Sequence, residues 1–262
     1  MIRKALLIFC ILSLFFSCKD KESNNAVSGK ITVVSDESFI PILSAESKIY
    51  QYIYKNSTIE TIINPEVEAF SQFVQGNADV IFASRDLYKS EASFLKQKNL
   101  KAESYKIASD AIVLVVHKGR KDSSISIEQL KDILSGNISQ WKELGKEGGE
   151  IVVAFDQNNS SNLLTINEKF PLNTAKVNVF AAGSHAKVIS YVTSHPDAIG
   201  IIGLSHLSDD PSSNKHLKNI QVFGLKDAEG KTYFPWQDDL ATGKYPLKRD
   251  IYLINKYKSG LG

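Results

Sequence analysis

The chain has 262 residues, 43% of them apolar and 23% charged, which supplies core for one large domain or two small lobes. Arg3 and Lys4 are the charged residues before Cys18, so loss of residues 1–17 takes the formal net charge from +2 to 0 and excludes a nucleic-acid binder that works through a basic surface. Cys10 and Cys18 are the two cysteines, both at the extreme N-terminus, which leaves none for a disulfide or a zinc site in the folded part.

Arg3-Lys4 precedes an apolar run from Ala5 to Phe16, broken by Ser13, and then Ser17-Cys18. This is the pattern of a secretory signal with a lipoprotein-type end. The run is shorter than the roughly 20 residues of a permanent membrane span, and the small Ser17 suits cleavage before Cys18. Cys18 is then expected to carry lipid. Residues 18–29 are polar and Ser/Asn-rich, a flexible tether.

Strand and helix patterns alternate from there on. Ile31–Ser35 reads as a strand, Ile42, Leu43, Ile49, Tyr50 and Ile53 recur at helical spacing, and Thr58–Ile63 returns to β-branched residues, the rhythm of a parallel sheet. Pro65 opens a helix with Val67, Phe70, Phe73 and Val74 on one face, and Gly76-Asn77 stops it before a short strand at Asp79–Ala83. Ser84-Arg85-Asp86 closes that strand. Ala111–Val116 is six apolar residues in succession, a strand covered on both faces that is expected to cross between lobes. The pattern restarts with a helix at Ile127–Leu134, a turn reaching Trp141 and a strand at Ile151–Phe155. A helix over His185–Thr193 leads through Pro196 to the glycine-flanked strand Ala198–Gly203. Ser208–Lys218 reads as a surface loop, and Ile220–Leu225 and Asp250–Ile254 as late strands.

Between the strand at Ile151 and a helix-like run from Leu163 to Phe170 lies Asp156-Gln-Asn-Asn-Ser-Ser-Asn162. A strand that ends in short hydroxyl and amide side chains before a helix leaves several backbone N–H groups aimed at the loop, a place for an anion or another acceptor. Capping of the helix by Ser160, Ser161 or Asn162 is the plainer alternative. Catalysis has little support. The five histidines show no metal-ligand spacing, Gly203-Leu204-Ser205-His206-Leu207 lacks the second glycine of a nucleophile elbow, and no phosphate-loop motif occurs.

Taken together, Ser38-Phe39-Ile40-Pro41, Gly76–Leu87, Ile127–Trp141, Ser160-Ser161-Asn162 and Pro196–Gly200 resemble, in order and spacing, the substrate-binding components of bacterial ABC importers, most closely the phosphate-binding PstS-like group. The resemblance implies an α/β, two-lobed periplasmic-binding-protein-like fold, each lobe a largely parallel sheet flanked by helices. Residues 30–112 are expected in lobe 1, 113–203 in lobe 2 and 204–262 in the return to lobe 1. The return is expected to be incomplete, because the family continues past Gly262 into a further helix. The cleft is expected to close over a small ligand by hinge motion.

The same resemblance implies that Ser38 and the Phe39 N–H bind the ligand from one lobe, Ser160, Ser161 and Asn162 from the other, and that Asp79 accepts a proton from phosphate. Hydrogen bonding of Asp79 to nearby backbone is the alternative. Asp156 stands where the family has arginine, and Asn64-Pro65-Glu66-Val67-Glu68 replaces a Gly/Ser-rich turn, so negative charge gathers at the mouth. Arg85, beside Ser84 at a strand's carboxyl end, is expected to offset it, as a direct ligand or as a partner of Asp156, with pairing to Asp86 as a further possibility. The implied function is a non-enzymatic, lipid-anchored receptor on the periplasmic side of the envelope. It captures phosphate or a similar small oxyanion for an ABC permease, without cofactor, metal or nucleic acid. The alternatives are an envelope lipoprotein acting as sensor or assembly factor with a different ligand, and, third, a hydrolase.

Overall fold

The computed structural model describes residues 27–207 and 217–258; the signal, Cys18, most of the tether and most of the loop expected at Ser208–Lys218 lie outside them. The first β-branched segments form β1 (Ser28–Ser35), β2 (Asn56–Ile63) and β3 (Val80–Ala83), with β1 paired in parallel to both others. α1 (Ile40–Ile53) and α2 (Glu66–Gln75) make the crossovers. α2 ends where the sequence says it should, because Gly76 takes φ 101°, a left-handed cap that a side chain would strain.

After α3 (Lys89–Gln97) comes β4 (Leu100–His117), an 18-residue strand whose burial changes along its length. Its first part is largely exposed, and Asp110–Val116 is buried. The chain continues through β5 (Ser124–Ser126), α4 (Ile127–Ser135), β6 (Val152–Phe155), α5 (Ser161–Lys169), β7 (Asn178–Ala181), α6 (His185–Ser194), β8 (Ala198–Gly203), β9 (Ile220–Lys226), β10 (Thr232–Tyr233), α7 (Gln237–Ala241) and β11 (Lys248–Lys258). The main strand order is β2-β1-β3-β11-β4-β8-β6-β7.

Strand β4 therefore belongs to two halves. Leu100–Ala111 pairs antiparallel with β11, and Ile112–His117 pairs with β8 and β9. The apolar run alternates between two cores as a doubly covered strand must: Ile112, Leu114 and Val116 pack with Trp141 and Phe223, whereas Val113 and Val115 face Val188 and Val192. The other half has its own cores, around Phe70, Phe73 and Ile81 on one face and Phe39, Phe82 and Ile251 on the other. One expected boundary shifts. Ile220–Lys226, expected in the return to the first lobe, pairs instead with β4 residues Leu114–His117 and with β5; β11 is the strand that returns. Sequence patterning identifies a strand but not its neighbour, and both segments read as similar late strands.

Gly200, in the middle of β8, shows how closely α6 packs. A Cβ there would stand 2.8 Å from methyls of Val115 and Val192 and 2.9 Å from one of Val188. Gly200→Ala is expected to destabilise the fold by about 1–3 kcal/mol, the usual cost of overpacking, read as a lower urea midpoint with unchanged slope. An unchanged midpoint would contradict this packing.

Candidate ligand-binding site

Asp36 follows β1 and caps the 3-10 turn Glu37–Phe39, its Oδ1 accepting the Ser38 N–H at 2.9 Å. The opposite half comes to meet it. Ser161, the first residue of α5, donates its N–H to Asp36 Oδ2 at 3.1 Å and its hydroxyl to Oδ1 at 2.8 Å. The helix N-terminus singled out for an anion thus holds a carboxylate of the chain itself. Ser38 Oγ lies 3.0 Å from Ser161 Oγ, and Arg249 Nη1 donates to the latter at 3.1 Å. Asp36, Ser38, Ser161, Asn162 and His185 are no more than 1% exposed.

Arg249 is held by Asp110, whose Oδ2 accepts Nε at 3.1 Å and Nη2 at 2.8 Å. The two residues are cross-strand neighbours on β11 and β4, where β4 passes from one half to the other. The guanidinium also sits 4.7 Å from the centre of the Phe39 ring. Buried this way, the pair depends on its mutual geometry to offset the loss of water.

Behind Ser161 lies a second group. Asp156 accepts Ser160 Oγ at 2.6 Å and Asn162 Nδ2 at 3.2 Å, and that amide is 2.8 Å from His185 Nε2. With Nε2 as acceptor, the His185 proton is on Nδ1, which faces Glu37 Oε2 at 3.5 Å. Burial pushes the Asp156 carboxyl upward, and the nearby Asp36 carboxylate adds to it. Burial likewise raises Glu66, although Ser84 donates both its N–H and its hydroxyl to it at 2.8 Å. Asn162 Oδ1 is buried with no hydrogen-bond partner among the described residues, and Glu37 Oε2 and His185 Nδ1 have only their 3.5 Å contact with each other. A site that takes a hydrogen-bonding ligand leaves such atoms open.

His206 stacks on His185 at 3.8 Å and donates to the Glu37 carbonyl at 3.1 Å. Burial first, and His185 second, lower its pKa to about 4. Because this folded value lies below the unfolded one, the unfolded chain binds more protons between pH 6.5 and about 4. His206 is therefore expected to contribute full stability above that window and to lose on the order of 2–3 kcal/mol as pH falls through it. His206→Asn should flatten the acid limb of stability against pH. Parallel curves for the variant and the wild type would refute the assignment.

The structure brings Ser38, Phe39, Ser160, Ser161 and Asn162 together with Asp156. The Phe39 N–H donates to the Asp36 carbonyl at 3.2 Å, and Ser160 Oγ caps α5 by accepting the Leu163 N–H. Two expectations are corrected. Asp79 is exposed at the start of β3, where it accepts the Thr32 N–H at 2.8 Å, whereas the cluster lies beyond the opposite ends of β1 and β3. That bond is the one the backbone alternative expects. Nor does Arg85 pair with Asp156: it makes two 2.9 Å bonds to Glu91 and lies between the rings of Phe70 and Tyr88. Glu91 sits in the first turn of α3, within easy reach of the strand end, so the local partner prevails. Ser84 and Arg85 instead line a groove of about 500 Å³ between the halves, with Glu66, Thr165, Lys169 and Arg249.

Asp36, Asp110, His185 and Arg249 were not foreseen. Asp36 did carry a signal, an acid two residues before Ser38 at a strand end, which is a capping pattern. Arg249 and Asp110 each open an apolar strand segment, but their pairing exists only in the register of β11 on β4. Among the described residues no group of three His, Cys, Asp or Glu side chains is arranged to hold a metal ion, and no helix is long and apolar enough to cross a membrane.

The architecture is a mixed α/β sheet whose two halves share strand β4, with a buried polar cluster where they meet. The chain belongs to the PBP superfamily, whose domain model matches residues 20–261. It is 25% identical over 221 residues to the phosphate-binding protein PstS of Staphylococcus haemolyticus, covering 84% of this chain and 68% of that protein. Among solved structures, it is similar to a putative phosphate ABC transporter substrate-binding protein with bound phosphate from Clostridium perfringens, with TM-score 0.70, 22% identity and coverage of 87% and 86% of the two chains. An ABC-type phosphate transport receptor from Vibrio cholerae superposes with TM-score 0.64 and 20% identity, covering 88% of each chain. These relatives are binding proteins and receptors, a non-enzymatic family.

Proposed function

We propose that this chain is an extracytoplasmic solute receptor that captures phosphate or a similar small oxyanion and delivers it to the permease of an ABC importer. The observation that carries this reading is the seat of the Asp36 carboxylate. A helix N-terminus, the Ser161 hydroxyl and the Ser38 N–H converge on its two oxygens, with Arg249 one hydroxyl away. Donors placed in this way suit the oxygens of a tetrahedral anion, for which the carboxylate stands in. In this reading Ser38, Phe39, Ser160, Ser161 and Asn162 form the ligand shell, Ser84 and Arg85 lie at its mouth, and lipid on Cys18 holds the receptor to the membrane. The halves are lobes that part to admit ligand and close over it.

Calorimetric titration of the mature protein with phosphate, arsenate and sulfate tests the reading, alongside small-angle scattering for compaction. Stoichiometric binding of at least one oxyanion is expected. Fractionation of a Cys18→Ser variant tests the anchor, which should be lost to the soluble fraction or retained as precursor. The resident carboxylate also favours a second reading, an envelope sensor or assembly lipoprotein in which the cleft is filled from within. Failure of all three anions to bind, with unchanged scattering, would select it.

A further inference from the structure

The two faces of the first half's sheet are finished differently. On one side α2 and α3 leave Phe70, Phe73 and Leu95 no more than 2% exposed. On the other, α1 buries only Leu43 and Ser47, so residues 48–53 at its end bury no side chain fully. Gln51 Oε1 accepts the Ile59 N–H at 2.8 Å and ties that end of the helix to β2, where Asn56 pairs with Ser28 at the start of β1. Ile49, Tyr52 and Ile53 are 55%, 75% and 61% exposed there, and Val27 and Ile31 add 48% and 40% from the neighbouring strand. Large apolar side chains thus gather at one end of the molecule instead of scattering singly. That end is where the chain arrives from Cys18. Ten residues lead from Cys18 to Ser28 and span at most about 35 Å even when fully extended. The buried polar cluster lies at the opposite end, beyond Ser35, the last residue of β1. Lys30, Lys48 and Lys55 share the apolar end with Glu46, Glu60 and Asp79, and Lys30 pairs with Glu60 at 2.6 Å, so these charges exert no net pull on an anionic surface. Lys55 lies 4.1 Å from the centre of the Tyr52 ring, an aromatic and lysine edge that suits a membrane–water boundary.

We propose that this end of the receptor rests on the lipid bilayer, with Ile49, Tyr52 and Ile53 entering the headgroup layer beside the point where the chain leaves for its anchor. A patch this small binds lipid weakly by itself. Lipid on Cys18 confines it to the surface at an effective concentration on the order of millimolar, which turns a weak contact into an occupied one. With β1 upright, its eight residues carry the cluster at Asp36 about 26 Å from the bilayer, and the cleft faces away from it. The contact holds the receptor in a loading orientation and releases for delivery to the permease. This rests on the lipid-anchored receptor reading and adds an orientation to it.

The test places one nitroxide label on the lipidated protein in phosphatidylcholine vesicles, through Ile53→Cys or, at the groove between the halves, through Glu168→Cys. Loss of Cys10 with the signal and acylation of Cys18 leave the introduced thiol as the one that reacts. Flotation with the vesicles reads the anchor. Accessibility of the label to a water-soluble nickel chelate reads the contact, and it should be about fivefold lower at position 53 than at position 168 without any anionic lipid. Ile49→Ser combined with Tyr52→Ser should raise it to the level of the other site while the protein still floats. Both side chains are more than half exposed and support no core, so this variant folds. Equal accessibility at the two sites in a floating protein overturns this inference and leaves the anchor standing. Shielding of position 53 that grows with the number of receptors per vesicle assigns the patch to a second copy of the chain and overturns the lipid contact. A protein that stays out of the floating fraction overturns anchor and contact together.

Discussion

Arg249→Ala should cost the folded protein about 3–5 kcal/mol, the range for leaving one member of a buried ion pair without its partner. Asp110 is 3% exposed, and truncation of Arg249 would leave its carboxylate with neither water nor cation. The same change removes the cation next to Ser161, so oxyanion binding should fall by at least a hundredfold in whatever fraction remains folded. The two effects can be separated. A double replacement, Arg249→Met with Asp110→Leu, substitutes apolar contacts of similar size for the pair and should recover most of the stability, because a buried pair is worth little over a well-packed hydrophobic one. It should recover none of the binding. Urea unfolding and calorimetry on the wild type and the two variants check this. A single-variant cost below about 1 kcal/mol, the level of an exposed pair, would show that the guanidinium is not buried as described.

The second large effect is expected at Asp36. Its removal in Asp36→Ala deprives the Ser161 and Ser38 N–H groups of their acceptor, at about 1–3 kcal/mol for each buried donor left unmade. The ligand-free variant should therefore unfold at lower temperature. It should also scatter as a more open particle, because Asp36 and Ser161 bind the halves to each other. Added phosphate should then do more for the variant than for the wild type. It takes over donors that the wild type keeps occupied, and it no longer meets a buried like charge, so affinity should rise by tenfold or more. A thermal shift series against phosphate concentration reads both terms. If phosphate affinity falls in Asp36→Ala, the carboxylate takes part in holding the ligand and does not compete with it.

The succession of elements was legible because periodicity reports burial directly. Ala111–Val116 could be read as doubly covered, and Gly76 as the stop of α2, without any coordinates. The loop at Asp156–Asn162 was legible for a similar reason: hydroxyl and amide side chains gather where helix N–H groups need acceptors. What the sequence withheld was partnership. Arg85 and Arg249 are both arginines beside an acid, yet Arg85 pairs six residues away with Glu91 whereas Arg249 turns inward to Asp110, 139 residues distant. Asp79 shows the converse. Its place in a matching motif suggested ligand, but Asp79 precedes the first residue of β3, and the carboxyl-end rule that favoured Arg85 already spoke against it.

Strand β4 sets the mechanical character of the molecule. A receptor hinged on loose loops would open with little resistance, but here the connection is a hydrogen-bonded ladder that continues from one sheet into the next. Any rotation of one half against the other would be taken up as torsion along that ladder. The register of β11 on β4 slips by one residue at Ile251 and Tyr252, which leaves Ile107 as an extra residue on β4, three positions before Asp110. An extra residue of this kind concentrates twist locally. The strand thus behaves as a stiff rod with one compliant joint, and the Arg249–Asp110 pair stands next to that joint, so the charge at the base of the cleft and the angle between the halves are set at the same point in the chain.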